Sequence, residues 1–295
     1  MATVVNGENH YDRAVEVQRF DESKIGVKGL VDSGLTTIPP IFIHPIDTLS
    51  DLKAKPQSVV VPTIDLSGPR STVLEQVASA SRTFGDTLRI KLGRRLPELE
   101  DIPEVCRDEV VQWNLHSEAL GERLMGLLSE GLGLDMDRLK NSCLDARTML
   151  GHYYPRCPQP DLTVGIASHT DPGVLTLLLQ DHIGGLQIKH KGGWVDVKPV
   201  HGALVINIAD ILQILSNDEY VSVEHRVLAN PSKEPRVSIA VFFSPSARET
   251  LYGPFSELTS PEKPLRYCQF VYHDYMRRFF TKELDGKTLT NYYRI

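Results

Sequence analysis

The stretch VGIASHTDPGVLTLLLQ, residues 164 to 180, contains two apolar runs separated by Asp171, Pro172 and Gly173. Short runs rich in Val, Ile and Leu that are bounded by Pro, Gly and Asp are typical of β-strands. Residues i and i+2 of an extended run point to the same side, so His169 and Asp171 are expected to share one face. The stretch therefore predicts two strands with a polar pair between them.

The same pattern extends over most of the second half of the chain. Eight such runs follow one another, at residues 148–154, 164–169, 175–180, 185–190, 194–197, 203–208, 225–229 and 236–243. Gly192 and Gly193 are expected to close a hairpin between Lys189 and Trp194. Eight strands in about a hundred residues predict a mainly β fold with flanking helices, whose core is a double-stranded β-helix, or jelly-roll, with a mouth that can hold a ligand.

Helical spacing of apolar residues lies mainly before the β-rich part. Helices are predicted at residues 11–23, 73–84 and 135–143, and from an N-cap at Asp101 to Gly131. The last of these carries an apolar stripe of Leu120, Leu124, Leu127 and Leu128, which is expected to pack on the core. Residues 59–66 predict a strand, whereas residues 86–95 follow neither pattern and are assigned to a loop.

Three side chains in the β-rich part predict a metal site. His169 and Asp171 stand two residues apart, and His225 belongs to a separate strand-like run. Two imidazoles and one carboxylate can occupy one face of an octahedral metal and leave three positions open, which suits non-haem Fe(II) oxygenases. A zinc hydrolase using the same three ligands is a weaker alternative.

A second pair of side chains predicts an anion site. Arg236 and Ser238 are also two residues apart, in an otherwise apolar strand-like run, so a guanidinium and a hydroxyl share one face. An arginine in such a run could form a surface ion pair, but the apolar context favours a buried anionic partner, and its planar fork matches a carboxylate. Asn207, Asp210 and Trp194 are interpreted as structural residues.

Composition narrows the classes of partner. The 295 residues carry a formal net charge of −6 without long basic runs, which argues against nucleic acid or an anionic membrane as a partner and favours a small molecule. The four cysteines form no C-x-x-C pair, so reduced thiols and a cytoplasmic location are expected. The sequence has neither a signal-peptide pattern nor an apolar segment long enough to span a bilayer. A monomer is expected.

Several stretches carry a resemblance to a known family. The set His169-x-Asp171, His225 and Arg236-x-Ser238 resembles the plant 2-oxoglutarate- and Fe(II)-dependent dioxygenases over nearly the whole chain. The branch that it resembles comprises homologues of 1-aminocyclopropane-1-carboxylate oxidase, including hydroxylases of the desacetoxyvindoline 4-hydroxylase type. The stretches that carry the resemblance are GVKGLVDSGL (26–35), HYYPRCPQP (152–160), DHIGGLQ (181–187) and EHRVLAN (224–230).

The resemblance implies a cofactor set and roles. His169, Asp171 and His225 would bind Fe(II) and act in catalysis, Arg236 and Ser238 would bind the far carboxylate of 2-oxoglutarate, and Tyr154 would support it. O2 would be the second co-substrate, with ascorbate supportive, and a small secondary metabolite would be hydroxylated or otherwise oxidised. His152 stands where many relatives have Asn.

The resemblance also implies four segments. They are an N-terminal dioxygenase region (1–85), a helical connector (86–145), the Fe(II)/2-oxoglutarate dioxygenase jelly-roll (146–248) and a C-terminal helical extension (249–295). The family continues after Phe84-Gly85 with a strand and a long helix, whereas here Gly85 meets Asp86 directly. This join predicts an internal deletion, reduced stability, and a substrate pocket open on one side. A catalytically impaired form that binds metal or co-substrate without productive turnover is the alternative function.

Overall fold

The computed structural model describes residues 12–52, 85–93, 100, 102–247, 249–281 and 288–295. In this part of the chain, no helix combines the length and the apolar character that a membrane span requires. The predicted strand at 59–66, the predicted helix at 73–84 and the predicted N-cap at Asp101 lie outside the described residues.

Two antiparallel sheets form the centre of the fold. The strands are β1 (Asp86–Gly93), β2 (Ala146–Tyr154), β3 (Val164–His169), β4 (Leu175–Gln180), β5 (Leu186–His190), β6 (Gly193–Asp196), β7 (Val205–Ile208), β8 (His225–Leu228), β9 (Arg236–Ser244), β10 (Leu251–Tyr252) and β11 (Phe270–Val271). One sheet has the order β1-β2-β9-β4-β7 and the other β3-β8-β5-β6, while β10 and β11 form a separate pair. All eight predicted strands of the jelly-roll are present.

The helices flank these sheets. They are α1 (Arg13–Ser23), α2 (Gly26–Asp32), α3 (Ile46–Leu52), α4 (Arg107–Gly131), α5 (Lys140–Cys143), α6 (Asp210–Leu215), α7 (Tyr272–Thr281) and α8 (Thr288–Tyr292). The main core lies on the five-stranded sheet, where Leu175, Leu177, Val241 and Phe243 are fully buried and α4 and α7 cover them. Each such side chain contributes roughly 1.5–3 kcal/mol by leaving water.

Three helix predictions need correction. The described long helix begins at Arg107, after a 3-10 turn at Glu104–Cys106. Its apolar stripe is narrower than predicted, because Leu120, Leu124 and Leu128 pack on the core whereas Leu127 is 56% exposed. The helix predicted from Asp135 is regular only over Lys140–Cys143, and turns occupy the residues before it.

The predicted loop at 86–95 is wrong for residues 86 to 93, which form strand β1. This strand pairs with β2 along its whole length, from Asp86 opposite Tyr153 to Gly93 opposite Ala146. Ile90 and Leu92 are buried and Arg89 and Lys91 are exposed, which is the alternation of a half-buried strand. The basic residues that suggested a loop therefore lie on its solvent face.

The hairpin between β5 and β6 is present, but its turn is one residue earlier than predicted. Lys189 pairs with Trp194 and His190 with Gly193, so Lys191 and Gly192 form the two-residue loop. Both have positive φ, 49° and 81°, as the common two-residue hairpin turn requires. Gly193 is therefore the first residue of β6.

Candidate metal and co-substrate site

The three predicted metal ligands meet at one end of the smaller sheet. His169 is the last residue of β3 and His225 the first residue of β8, and the two are paired across the strands. Their ring centroids are 4.3 Å apart. Asp171 follows β3 by two residues and is buried. One ligand atom from each of the three residues lies within 4.8 Å of the others.

Hydrogen bonds orient both imidazoles. His169 Nδ1 lies 2.8 Å from the carbonyl oxygen of Ala167, and His225 Nδ1 lies 3.1 Å from that of Val223. A carbonyl only accepts, so each Nδ1 carries a proton, and each Nε2 offers a lone pair when its ring is neutral. The two Nε2 atoms lie 3.6 and 3.5 Å from the same atom, Asp171 Oδ1. This set of donors is what a metal ion requires.

The other oxygen of Asp171 makes different contacts. Oδ2 accepts hydrogen bonds from Thr176 Oγ1 at 2.6 Å and Asn207 Nδ2 at 2.8 Å. Burial opposes ionisation of Asp171, but His225, His169 and the Thr176 hydroxyl together hold the pKa of this carboxyl well below its usual range. Asp171 is thus an anion, the state in which it can bind a cation. No role was predicted for Thr176, and the interpretation of Asn207 as merely structural missed this contact.

The predicted anion site is a buried fork. Arg236, 1% exposed, donates from Nε to the carbonyl oxygen of Gly184, from Nη1 to Ser238 Oγ at 3.0 Å, and from Nη2 to Gln180 Oε1 at 3.3 Å. These bonds use one N–H on each nitrogen and leave a second N–H on each terminal nitrogen. A guanidinium that keeps one N–H on each terminal nitrogen can donate two hydrogen bonds to a carboxylate. Gln180 was not predicted, although its register opposite Ser238 places it here.

Tyr154 lies beside this fork. It pairs with Arg236 across β2 and β9, and the guanidinium carbon lies 4.9 Å from the centre of its ring. Its hydroxyl is buried and makes no well-formed hydrogen bond to the described residues. Burial raises the pKa of Tyr154 to about 12, so the hydroxyl keeps its proton. The hydroxyl is close enough to Ser238 and Arg236 to interact with both, and it can still donate to a ligand.

His152 occupies the next inward position of β2. It pairs with Ser238 of β9, and its Nδ1 lies 2.9 Å from Thr87 Oγ1 of β1. Burial, together with the positive charge of Arg236, lowers the pKa of His152 to about 4, so the ring is neutral near pH 7. Thr87, His152, Ser238 and Gln180 form one polar row across four strands.

Asp210 and Trp194, both interpreted as structural residues, connect separate elements of the fold. Asp210 Oδ2 accepts hydrogen bonds from Thr170 Oγ1 and from the Tyr275 hydroxyl, which ties the loop at Asp171 to α7. Trp194 Nε1 donates to Asp51 Oδ2 at 2.8 Å and links the hairpin to α3.

Comparisons with known proteins agree with this geometry. Residues 146–245 match the 2OG-Fe(II) oxygenase superfamily. The chain is 38% identical to 1-aminocyclopropane-1-carboxylate oxidase homolog 11 of Arabidopsis thaliana, over 97% of this chain and 98% of that protein. Because this share of the 295-residue chain aligns over 358 residues, about 70 residues of the relative have no counterpart here.

Solved structures show the same fold. The crystal structure of JOX2 in complex with 2OG, Fe and JA superposes with a TM-score of 0.68 at 32% identity, over 72% of this chain and 65% of that chain, just under two thirds of its length. The dioxygenase for auxin oxidation of rice superposes with a TM-score of 0.61 over 95% of this chain and 86% of that one, at 23% identity. The core is therefore a jelly-roll, and Fe(II), 2-oxoglutarate and O2 are the cofactor and co-substrates of the family. This chain belongs to the 2OG-Fe(II) oxygenase superfamily, in the plant branch of 1-aminocyclopropane-1-carboxylate oxidase homologues, and is a 2-oxoglutarate-dependent dioxygenase.

Proposed function

We propose that this dioxygenase binds Fe(II) through His169, Asp171 and His225 and oxidises a small secondary metabolite. The observation that carries the proposal is the approach of both Nε2 atoms to the same carboxylate oxygen, at 3.6 and 3.5 Å. Two ligand atoms about 2.1 Å from a metal and at right angles are about 3 Å apart, so a small closure of this triangle accommodates an ion.

The co-substrate fits the fork beside the metal ligands. Arg236 keeps one N–H on each terminal nitrogen, while the hydroxyls of Ser238 and Tyr154 can each donate one further hydrogen bond. All three residues are at least 97% buried. A dicarboxylate with one end at the metal and the other at Arg236 would pair a buried cation that otherwise has only neutral hydrogen-bond partners there.

The chemistry of the bound groups is oxidation of the substrate by O2, coupled to decarboxylation of 2-oxoglutarate. The residues of the chain supply the conditions for it. His169, His225 and Asp171 leave half of an octahedral coordination sphere open. Arg236, Ser238 and Tyr154 orient the co-substrate, and the apolar side chains around Tyr154, namely Leu186, Val197 and Val227, exclude water.

The proposed substrate class rests on the family and on the ligands of a similar protein of known structure. The JOX2 structure contains JA in addition to 2OG and Fe, so a similar protein of known structure takes a third small molecule. The branch to which this chain belongs and the absence of long basic runs also favour a small metabolite over a macromolecule. Oxidation of a small secondary metabolite is therefore the reaction that we propose.

A second candidate function has its own observation. About 70 residues of the aligned relative have no counterpart in this chain, whereas the metal and co-substrate residues are all present. A chain that keeps the metal and co-substrate residues but lacks these segments would not hold a substrate, and would therefore decarboxylate 2-oxoglutarate slowly or not at all. It would act as a form that binds metal or co-substrate without productive turnover.

The test is 2-oxoglutarate turnover by the full chain with Fe(II), ascorbate and O2, measured as succinate formed with and without a panel of small plant metabolites. We expect succinate above the level of His225→Ala, and stimulation by at least one metabolite. His116→Ala is the matched control, because this imidazole is exposed on α4 and lies far in sequence from the three ligands. Succinate no higher than in His225→Ala, with metal still bound, favours the impaired form. Bound zinc and hydrolysis that does not depend on 2-oxoglutarate would identify a hydrolase.

A further inference from the structure

The two oxygens of Asp171 have different environments. Oδ1 faces the Nε2 atoms of His169 and His225, whereas Oδ2 accepts hydrogen bonds from Thr176 and Asn207. The carboxylate is 2% exposed, so water does not compete for Oδ2. A carboxylate can bind a metal with one oxygen or with two, and the protein contacts of the second oxygen decide between these modes.

Both donors come from one cross-strand pair. Thr176 of β4 stands directly opposite Asn207 of β7, so their side chains project from the same face of the sheet. Thr176 is buried and Asn207 is partly buried. The flanking pairs, Leu175 with Ile208 and Leu177 with Ile206, are apolar. A single polar pair within an apolar ladder, with both members bonded to the same carboxylate oxygen, indicates a specific role.

We infer that the Thr176–Asn207 pair is a positioning device that makes Asp171 a one-oxygen metal ligand; this inference rests on the proposed metal site. With Oδ2 held by two donors, only Oδ1 is free to bind the ion. Two imidazoles and one oxygen then occupy three positions, and three remain for 2-oxoglutarate and O2. Without the pair, the carboxylate can rotate and bring Oδ2 to the metal, where it takes one of the positions that the co-substrates need.

The test uses Mn(II) as a redox-stable probe and two substitutions at one position. Thr176→Val removes the hydroxyl and keeps the shape, and Thr176→Ser keeps the hydroxyl and removes the methyl group. Mn(II) binding to metal-free protein is measured by equilibrium dialysis, and 2-oxoglutarate binding to the Mn(II)-loaded protein by calorimetry. The melting temperature of each metal-free variant reports on its fold.

We expect Thr176→Val to weaken the binding of 2-oxoglutarate to the Mn(II)-loaded protein by about tenfold while Mn(II) itself still binds, and Thr176→Ser to stay within about threefold of the parent protein. Asn207→Leu should reproduce the effect of Thr176→Val, and it replaces that variant in the test should the valine protein not fold. Equal affinities in the parent, Thr176→Val and Asn207→Leu proteins overturn the inference. Loss of affinity in Thr176→Ser as large as in Thr176→Val also overturns it, because packing would then be responsible. Absence of Mn(II) binding in the parent protein itself overturns the proposed metal site and, with it, this inference.

Discussion

The carboxylate of Asp86 accepts a hydrogen bond from the backbone N–H of Val27 across 2.7 Å, in the interior of the protein. It accepts a second one, of 2.8 Å, from the N–H of Lys28. These N–H groups belong to the first turn of α2, which has no hydrogen-bond acceptors of its own there. Asp86 is the first residue of β1, so this contact ties the N-terminal helices to the edge of the larger sheet. Burial raises the pKa of Asp86 even though both N–H groups stabilise its anion.

Gly26 is the residue through which this contact can be tested. It has a φ of +64°, and a Cβ placed on it would lie 2.7 Å from Asp86 Oδ1. Gly26→Ala should therefore introduce the strain of an alanine in the left-handed region and also displace the buried carboxylate of Asp86. Together the two effects should lower the free energy of unfolding by about 2–3 kcal/mol. The free energy of unfolding in urea measures this cost.

Gly34→Ala provides the matched control. Gly34 has a φ of +87° but no atom within 4 Å of the added Cβ, so only the backbone strain of about 1 kcal/mol applies. Equal costs for the two substitutions would show that the Asp86 contact adds nothing to stability.

The Tyr154 hydroxyl allows binding to be separated from stability. Because its contacts with Ser238 and Arg236 are not well-formed hydrogen bonds, Tyr154→Phe should change the unfolding free energy by less than about 1 kcal/mol. The same change should weaken 2-oxoglutarate binding about fivefold, through loss of about 1 kcal/mol of hydrogen bonding. Calorimetric titration of Mn(II)-loaded protein measures the affinity. A destabilised variant with unchanged affinity would show that the hydroxyl supports the fold instead.

Arg236→Lys tests the carboxylate fork. A lysine keeps the positive charge but has no pair of parallel donors, so we expect 2-oxoglutarate to bind at least about tenfold more weakly. Mn(II) affinity should not change, since no metal ligand is altered. Arg226→Lys is the control. Arg226 is also buried, but it contacts Trp194, Gln187 and Asp51 rather than the residues around Arg236. A similar loss of affinity in both variants would argue against a specific role for Arg236.

His152 should make the metal-free protein sensitive to acid. Its pKa is about 4 in the folded protein and near 6.5 in the unfolded chain, so between these values the unfolded state binds the extra proton. The unfolding free energy is therefore unaffected by this residue above about pH 6.5, where the ring is neutral in both states. It decreases as the pH falls, and the loss is complete below about pH 4, where the ring is protonated in both states. The difference between the two pKa values corresponds to a loss of about 3 kcal/mol of unfolding free energy.

His152→Asn isolates this effect from other titrating groups. Between about pH 6.5 and about pH 4, the unfolding free energy of the variant should fall by about 3 kcal/mol less than that of the parent protein. Urea titrations in the presence of a chelator measure both losses. Parallel stability curves for the two proteins would mean that His152 does not resist protonation in the fold.

Much of the fold and of the site was predictable because strands and ligands leave local patterns. Short apolar runs bounded by Gly, Pro and Asp marked all eight strands of the jelly-roll, and the spacing of two residues predicted that His169 with Asp171 and Arg236 with Ser238 share faces. The alternation of Leu88, Ile90 and Leu92 was also present in β1. Its basic outward residues concealed it, although an edge strand tolerates such residues.

The rest depends on which strands become neighbours. That β3 pairs with β8, so that His169 stands opposite His225, and that Thr176 stands opposite Asn207 follow from register, which no local pattern specifies. The same holds for the Asp86 cap on α2, which joins residues 59 positions apart in sequence. The sequence by itself determined which residues can bind iron and a carboxylate. Only the tertiary structure decided which oxygen of Asp171 faces the two imidazoles, because that choice is made by hydrogen bonds from side chains that long-range strand pairing brings together.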